Sequence, residues 1–171
     1  MLPFTGKKLR ALALASMLGL GFYGSASALE VGDKTPDFTL SGPQGTVRLS
    51  STAGNVIYLD FWASWCGPCK QSFGWMNAMQ EKYGPKGLRI IGVNLDGSVE
   101  DAKKFLAEHP AKFTVVFDEK GEQPKKFGIR GMPTSFLIGK NGKIIFQHLG
   151  FRDSERDNLE REIKAALEAN K

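Results

Sequence analysis

Residues 55–70 read NVIYLDFWASWCGPCK, and this stretch decides the fold. Residues 55–63 form a nearly continuous apolar and aromatic run without helical periodicity, which is typical of a central strand buried on both faces. Past Pro68, apolar residues at three- and four-residue steps predict a helix to about Tyr83, its inner face formed by Cys69, Phe73, Met76 and Met79. Residues 65–69, WCGPC, therefore lie where a buried strand turns into a helix.

Downstream of this unit, strand and helix patterns alternate. Residues 88–95 predict a second buried strand, and Ser98 with Asp101 marks the beginning of a helix. Residues 113–117 predict a third strand. Strand, helix and strand in this order form a βαβ pattern. A short, lysine-rich helix is predicted over residues 123–127.

A hairpin is predicted near the end of the chain. Residues 134–138 and 143–148 flank Asn141-Gly142, which is the strongest short-range signal for a tight turn between two strands. The last segment then opens at Asp153 or Ser154 and forms an amphipathic helix that buries Leu159, Ile163 and Leu167.

A second hairpin is predicted near the start, where residues 37–40 and 46–49 flank a turn rich in Gly and Pro. Together these elements predict an α/β fold in which a mixed sheet carries helices on both faces. No segment repeats at a fixed spacing, which excludes repeat architectures and favours a single domain.

Residues 1–28 have the pattern of a secretory signal peptide. Three basic residues precede an uncharged run of 13 residues, and the run is followed by a small-residue cleavage site, Ala26-Ser27-Ala28. A membrane-spanning helix needs roughly 20 apolar residues, so this run is short for an anchor. We expect cleavage after Ala28, with an uncleaved tether as the alternative, and a periplasmic domain over residues 29–171.

The charge balance argues against a nucleic-acid partner. The 171-residue chain has a formal net charge of +5, which falls to +2 once Lys7, Lys8 and Arg10 leave with the signal peptide. No basic stripe or run then remains to track a phosphate backbone.

The two cysteines, Cys66 and Cys69, are the only ones in the chain, and they point to chemistry rather than to stabilisation. A disulfide between them closes a very small loop, which removes little entropy from the unfolded chain. A sulfur at the start of a helix faces unpaired backbone N–H groups and the positive end of the helix dipole, both of which favour a thiolate. We expect Cys66 to attack a substrate and Cys69, one turn later and less exposed, to resolve the mixed disulfide.

Half of a zinc site is the alternative interpretation of this pair. Such a site needs two more ligands at suitable spacing. His109 and His148 are the only histidines, and neither lies in a ligand pattern, so we predict no metal site. A peroxidase motif is likewise absent, because Leu59 and Ala63 occupy the positions where its Pro and Thr would stand.

WASWCGPCK, preceded by YLDF and followed by GIRGMPTSFLI and NGK, resembles the exported TlpA/ResA-type thiol-disulfide oxidoreductases of the thioredoxin superfamily. VGDKTPDFTL, VNLD and FDEKG extend the resemblance over nearly all of residues 29–171. It implies a thioredoxin fold with an N-terminal β-hairpin and a central βα insertion between Leu95 and Phe127.

The resemblance also implies roles for several residues around the sulfurs. The Met132–Pro133 bond would be cis and would shape a groove for an extended substrate backbone, beside Gly67 and Pro68 of the motif. Independently of the resemblance, the position of Trp65 directly before Cys66 predicts an exposed rim where partners dock.

Asp60 matches the buried Asp of thioredoxins. Burial raises the pKa of a carboxyl, so Asp60 would accept the proton of Cys69 near neutral pH, and a purely structural carboxylate is the alternative.

This sequence departs from the family pattern in having Gly92 where thioredoxins carry a Lys, Gly74 in place of a helix-kinking Pro, and Ser72 in place of a frequent Glu.

The Gly-Pro dipeptide between the cysteines resembles the one found in those superfamily members that reduce disulfides. The resemblance therefore implies a periplasmic reductase of disulfides in exported client proteins, recharged by a membrane-embedded thiol donor. Its clients would belong to cytochrome c or copper-oxidase maturation, although Thr134 stands where the cytochrome branch usually has Glu. We expect a monomer without a cofactor. An oxidase or isomerase of exported proteins and a metal-binding chaperone module are the alternatives.

Overall fold

The computed structural model describes residues 29–169, so the predicted signal peptide lies outside the described residues. The described chain contains seven strands and four α-helices. The strands are β1 (Thr39–Gly42), β2 (Gly45–Arg48), β3 (Val56–Trp62), β4 (Leu88–Asn94), β5 (Thr114–Phe117), β6 (Thr134–Ile138) and β7 (Ile144–Leu149). The helices are α1 (Gly67–Tyr83), α2 (Val99–Glu108), α3 (Glu122–Phe127) and α4 (Arg156–Glu168).

The main sheet has the strand order β5-β4-β3-β6-β7, so β3 lies at its centre. β3 and β4 run parallel, as do β4 and β5, whereas β6 is antiparallel to both β3 and β7. All seven residues of β3 are buried, as the uninterrupted apolar run predicted. The mixed sheet and the thioredoxin-like fold are therefore confirmed.

The two faces of the sheet are covered differently. Helices α1, α2 and α4 pack on one face, where the ring of Trp62 contacts Phe73 and Phe105. Helix α3 and the N-terminal segment cover the other face, where Phe127 contacts Phe61. Successive β3 residues point to opposite faces, so Asp60 shares the α1 face with Trp62.

The first hairpin begins two residues later than predicted, because Asp37 acts as a capping residue instead of extending the strand. Its carboxylate accepts hydrogen bonds from the backbone N–H and hydroxyl of Ser50, both at 2.8 Å, and from Nε of Arg48. These bonds hold the pKa of Asp37 down at about 2, the side-chain bond from Arg48 being the largest cause. A 3-10 turn over Asp153–Glu155 likewise delays the start of α4 to Arg156.

The N-terminal hairpin covers the outer edge of the sheet at β5. The side chain of Gln44 accepts a hydrogen bond from the backbone N–H of Val115 at 3.3 Å, which satisfies a donor on that edge. Gly42 lies so close to Val115 that any Cβ at position 42 would overlap the Val115 carbonyl. The absence of a side chain at Gly42 therefore allows the hairpin to sit on the sheet.

Substitution Gly42→Ala should lower the free energy of unfolding by about 1–3 kcal/mol, because the hairpin must shift away from the β5 backbone. Gly97→Ala is the matched control, since a Cβ at position 97 meets no atom within 4 Å. Urea denaturation of both variants measures the difference. Equal stability of the two variants would contradict the close approach.

Candidate active site

Cys66 and Cys69 form a disulfide at the start of α1, with their Cα atoms 5.2 Å apart. Cys66 is the N-cap residue of the helix, and its sulfur accepts the backbone N–H of Cys69 at 3.3 Å. Pro68 lies in the first turn, where a missing N–H costs nothing because that donor has no helical partner. The sulfur of Cys66 therefore lies where backbone donors and the helix dipole stabilise a negative charge.

The two sulfurs differ in exposure in the predicted order, but Cys66 is less accessible than expected. In the disulfide form Cys66 is 6% exposed and Cys69 is fully buried. The adjacent Trp65 is 73% exposed, so the docking rim predicted from its position does face solvent. A substrate must therefore reach the Cys66 sulfur through a restricted opening beside Trp65.

That opening is a groove of about 600 Å³ with a mainly apolar lining. It is lined by Trp65, Cys66, Gly67, Pro68, Leu95, Pro124, Ile129, Arg130, Gly131 and Met132. The Met132–Pro133 peptide bond is cis. Pro133 itself is buried behind Met132 and does not line the groove, while its carbonyl accepts the backbone N–H of Gly150 at 2.7 Å.

Five groove residues were not predicted as site residues from the sequence: Leu95, Pro124, Ile129, Arg130 and Gly131. Leu95 follows β4, and the other four belong to α3 and to the connection into β6. They lie between 29 and 65 positions from Cys66 in the chain, and only the folded sheet brings them together. No local spacing signal could have identified them.

Asp60 is buried in the middle of β3, with 1% of its surface exposed. Its Oδ1 accepts a hydrogen bond from the Ser135 hydroxyl at 2.6 Å, whereas Oδ2 has no partner among the described residues. Desolvation raises the pKa of Asp60 to about 7, against the opposing effect of the Ser135 hydrogen bond. Asp60 therefore has the raised pKa that a proton acceptor for a thiol near neutral pH requires.

Gly92 stands directly opposite Asp60 on β4, as the comparison with thioredoxins suggested. A Cβ at this position would lie 3.0 Å from Nε1 of Trp62 and 3.0 Å from the Phe113 ring. The two aromatic rings thus occupy the space that a lysine side chain would need. Burial, without a neighbouring ammonium group, governs the ionisation of Asp60.

A second buried carboxylate, Asp96, holds the loop that leads into the cysteine motif. It accepts the backbone N–H of Ser64 at 3.1 Å and the Ser64 hydroxyl at 3.1 Å. Asn94 supports it by donating from Nδ2 at 2.8 Å. The sequence offered Asp96 only as part of the VNLD motif, without a role, because its partner lies 32 positions away.

No group of three or more His, Cys, Asp or Glu side chains within residues 29–169 could hold a metal ion. The His109 ring packs against Phe105, and His148 contacts Glu155 through Nε2 at 3.3 Å. Neither histidine joins the cysteine pair in a ligand group.

Residues 30–163 match the Redoxin family. The chain belongs to this family. A relative named thiol-disulfide oxidoreductase ResA, from Bacillus cereus, is 33% identical over 153 residues, which cover 89% of this chain and 87% of the relative. The family match over residues 30–163 runs from before the first hairpin into α4, so it includes the cysteine pair, Asp60 and the groove.

Solved structures with the same fold give a consistent result. A protein from Chlorobium tepidum named thiol:disulfide interchange protein DsbE is 58% identical, with a TM-score of 0.81 over 82% of this chain and 99% of that one. An exposed lipoprotein thioredoxin from Streptococcus pneumoniae is 31% identical, with a TM-score of 0.67 over 76% of this chain and 99% of that one. This Redoxin-family protein is therefore a thiol-disulfide oxidoreductase of ResA/DsbE type, with Cys66 and Cys69 as its cysteine pair.

The raised pKa of Asp60 predicts how stability depends on pH. The folded state keeps a proton on Asp60 up to about pH 7, whereas the unfolded chain loses it near the ordinary aspartate pKa of 3.8. The folded state binds more protons across this interval, so stability should fall as pH rises from 4 to 7. Asp60→Asn should therefore raise the free energy of unfolding by up to about 4 kcal/mol at pH 8, where the buried carboxylate is ionised. At pH 4 it should change the free energy of unfolding much less.

Thermal unfolding of the oxidised protein at both pH values measures this difference. Ser154→Ala, an exposed change at a residue without a titratable side chain, is the control and should shift stability equally at pH 4 and pH 8. A pH-independent effect of Asp60→Asn would contradict a near-neutral carboxyl.

Proposed function

We propose that this protein reduces disulfide bonds in exported client proteins. The observation that carries the proposal is an apolar groove that ends on the sulfur of Cys66, with Cys69 fully buried one helical turn behind it. Because the groove reaches Cys66 and Cys69 is fully buried, a client sulfur can meet Cys66 while Cys69 remains available to resolve the mixed disulfide. None of the helices within residues 29–169 has the length and apolar character needed to cross a bilayer.

The reaction begins with the dithiol form. The Cys66 thiolate attacks one sulfur of the client disulfide, and the other client sulfur leaves with the electron pair and takes up a proton. Cys69 then transfers its proton to the Asp60 carboxylate, and the resulting thiolate attacks the Cys66 sulfur. The second client sulfur leaves, so the client gains two electrons and the protein forms the Cys66–Cys69 disulfide seen in the structure.

The groove favours an extended client segment with apolar residues beside its cysteine. Trp65 provides an exposed aromatic surface at one side, and Met132 and Ile129 provide apolar surface at the other. Arg130 adds one exposed positive charge, which suits an acidic group on the client. Gly67 and Pro68 at the groove floor, and Pro133 behind Met132, would shape the approach of the client backbone.

The cellular setting follows from the signal peptide pattern in residues 1–28 and from the relatives of ResA and DsbE type. A periplasmic protein of this kind would be recharged by a thiol donor in the membrane and would act as a monomer without a cofactor. Its clients would be apoproteins of cytochrome c or copper-oxidase assembly. Thr134 follows the cis proline in place of an acidic residue; it is buried, and its hydroxyl donates to the Gly131 carbonyl at 2.7 Å.

The direction of electron flow is testable through the reduction potential. Couples on this fold range from about −270 mV for thioredoxin to about −120 mV for DsbA, a difference of about 7 kcal/mol. We expect this protein to lie below about −200 mV, because its Gly-Pro dipeptide resembles the reducing members. Equilibrium titration against glutathione, followed by thiol alkylation, measures the potential, and a value near the DsbA end would support an oxidase instead.

Client docking is testable through Trp65. Trp65→Ala should lower kcat/KM for a disulfide-bonded protein about tenfold, since a central exposed aromatic often contributes more than 1 kcal/mol to binding. It should leave the reduction of a small disulfide such as oxidised glutathione within about twofold, because that substrate buries little of the groove.

Val31→Ala is the control, since Val31 is a large apolar residue that is 65% exposed and lies outside the groove. This variant should match the unsubstituted protein on both substrates. An equal loss on both substrates in Trp65→Ala would show that Trp65 affects the sulfurs and not docking.

A further inference from the structure

The main sheet has two edge strands, β5 and β7, and the chain covers them unequally. The N-terminal hairpin covers the edge at β5. The start of β7 is also covered, because the N–H of Ile144 donates to the Asp33 carbonyl at 2.9 Å and the Ile144 carbonyl accepts the N–H of Gly32 at 2.8 Å. The second half of β7, Phe146 to Leu149, has no such neighbour among the described residues. We call these four residues the open edge.

The pairing between β6 and β7 fixes which main-chain groups of the open edge point outward. The N–H of Gly150 donates to the carbonyl of Pro133 at 2.7 Å, so these two residues form a hydrogen-bonded pair. Hydrogen-bonded and non-hydrogen-bonded pairs alternate along an antiparallel ladder. Leu149 and Gln147 stand one and three steps from the Gly150 pair, so both belong to the non-hydrogen-bonded set. Their N–H and C=O groups therefore point away from β6, toward the uncovered side of the sheet.

The open edge lacks the usual protection of an edge strand. Proteins blunt such edges with charged side chains, with Pro or with a bulge that turns the strand away. Residues 146–149 read FQHL, without Lys, Pro or an acidic residue, and the register shift of β7 lies before them. Gln147 and Leu149 are exposed and uncharged, whereas His148 points to the other face and contacts Glu155. The open edge is therefore able to accept another strand.

The open edge adjoins the client groove. Leu149 is 64% exposed and lies next to Gly131, since a Cβ at position 131 would be 3.4 Å from Cδ1 of Leu149. Gly131 lines the groove that ends on Cys66. An extended segment that leaves the groove past Gly131 would meet Leu149 first and Gln147 about 7 Å further on, at about 3.3 Å per residue. The groove and the open edge thus form one continuous surface.

We propose that the open edge binds the segment of the client that flanks its cysteine, as an added β-strand. This inference rests on the proposed reduction of client proteins. The outward N–H and C=O groups of Gln147 and Leu149 bond to the client backbone, and the exposed Leu149 side chain packs against alternate client residues. Main-chain bonds depend little on the client's sequence. The open edge therefore adds affinity for extended clients whose side chains differ.

A client segment fits the open edge better than a second copy of this chain. The open edge spans only four residues, about 13 Å of strand, whereas stable protein interfaces bury roughly 1,200–2,000 Å². A client is held in the groove at the same time, so a short second contact acts on a segment that is already bound. Four residues are therefore enough for the role of an added contact.

The test compares model peptides that carry the same disulfide and the same groove-binding residues. One peptide is short, and two others continue with six alternating Thr and Val residues at the N-terminal or the C-terminal end. One extended peptide should show a kcat/KM about tenfold above that of the short peptide, because only one end of a bound client leaves the groove past Gly131. The other extended peptide should stay within about twofold. Equal kcat/KM for all three peptides would overturn the proposal.

Methylation of peptide nitrogens tests the main-chain bonds without changing the protein. Alternate residues of an added strand direct their N–H groups toward β7 and away from it. Methyl groups on every second nitrogen of the favoured extension should therefore abolish the tenfold gain in one register and retain it in the other. The gain is measured as kcat/KM relative to the short peptide. No loss in either register, or an equal loss in both, would contradict strand pairing.

The substitution Gln147→Pro removes one outward N–H and no bond to β6, and Pro is tolerated on an edge strand whose N–H faces solvent. It should abolish the gain from the favoured extension and leave the short peptide and oxidised glutathione within about twofold. Unchanged activity on these two substrates shows that the variant folds. Gln147→Thr is the matched control, since it keeps the N–H and should retain the full gain.

Three outcomes separate the alternatives. Retention of the gain in Gln147→Pro would contradict binding at the open edge. A dimer of the unsubstituted protein that Gln147→Pro abolishes, without any gain from the extended peptides, would assign the open edge to a second copy and overturn the proposal. If the unsubstituted protein did not reduce even the short peptide, the proposed reduction itself would fail.

Discussion

Burial of β3 on both faces is the constraint on which the site depends. Because every residue of β3 is covered, the strand has one register and one orientation within the sheet. The carboxyl end of β3 continues into the loop at Ser64, whose backbone N–H is hydrogen-bonded by Asp96, and then into the N-terminus of α1. The Cys66 sulfur therefore lies next to backbone donors of the first helical turn. The same burial surrounds Asp60 with apolar side chains and neighbouring strands. One packing arrangement therefore positions the Cys66 sulfur at the helix start and raises the pKa of the Asp60 carboxyl.

The pKa of Asp60 is set by desolvation and by one hydrogen bond from the Ser135 hydroxyl, without a lysine on the paired position of β4. The rings of Trp62 and Phe113 cover Gly92, so the core is completed by aromatic packing where thioredoxins place an ammonium group. An uncompensated buried carboxylate is costly, and the carboxyl responds by holding its proton to about pH 7. The protein thereby keeps an acid of near-neutral pKa, at the expense of stability at alkaline pH.

The groove and the buried carboxyl occupy different parts of the site. The client groove opens beside Trp65, between the start of α1 and the connection into β6, and Cys66 is part of its lining. Asp60 does not line this groove; it lies buried on β3, where it accepts the hydroxyl of Ser135 on β6. A client seated in the groove would therefore meet the Cys66 sulfur without touching Asp60.

Features that depend on local pattern could be predicted from the sequence alone. The run around Asp60 predicted a buried central strand, the placement of the cysteines predicted a redox pair at a helix start, and the motifs around Pro133 identified the family. Local periodicity did not determine the hairpin boundary, because Asp37 hydrogen-bonds to residues more than ten positions away. Strand register and loop convergence are tertiary properties, so the folded chain was needed to show that Ser135 lies beside Asp60 and that Ile129 and Leu95 line the groove. These three residues lie within the family motifs, but no local pattern indicated their place in the site, since pairing between strands depends on the packing of the whole sheet and not on neighbours along the chain.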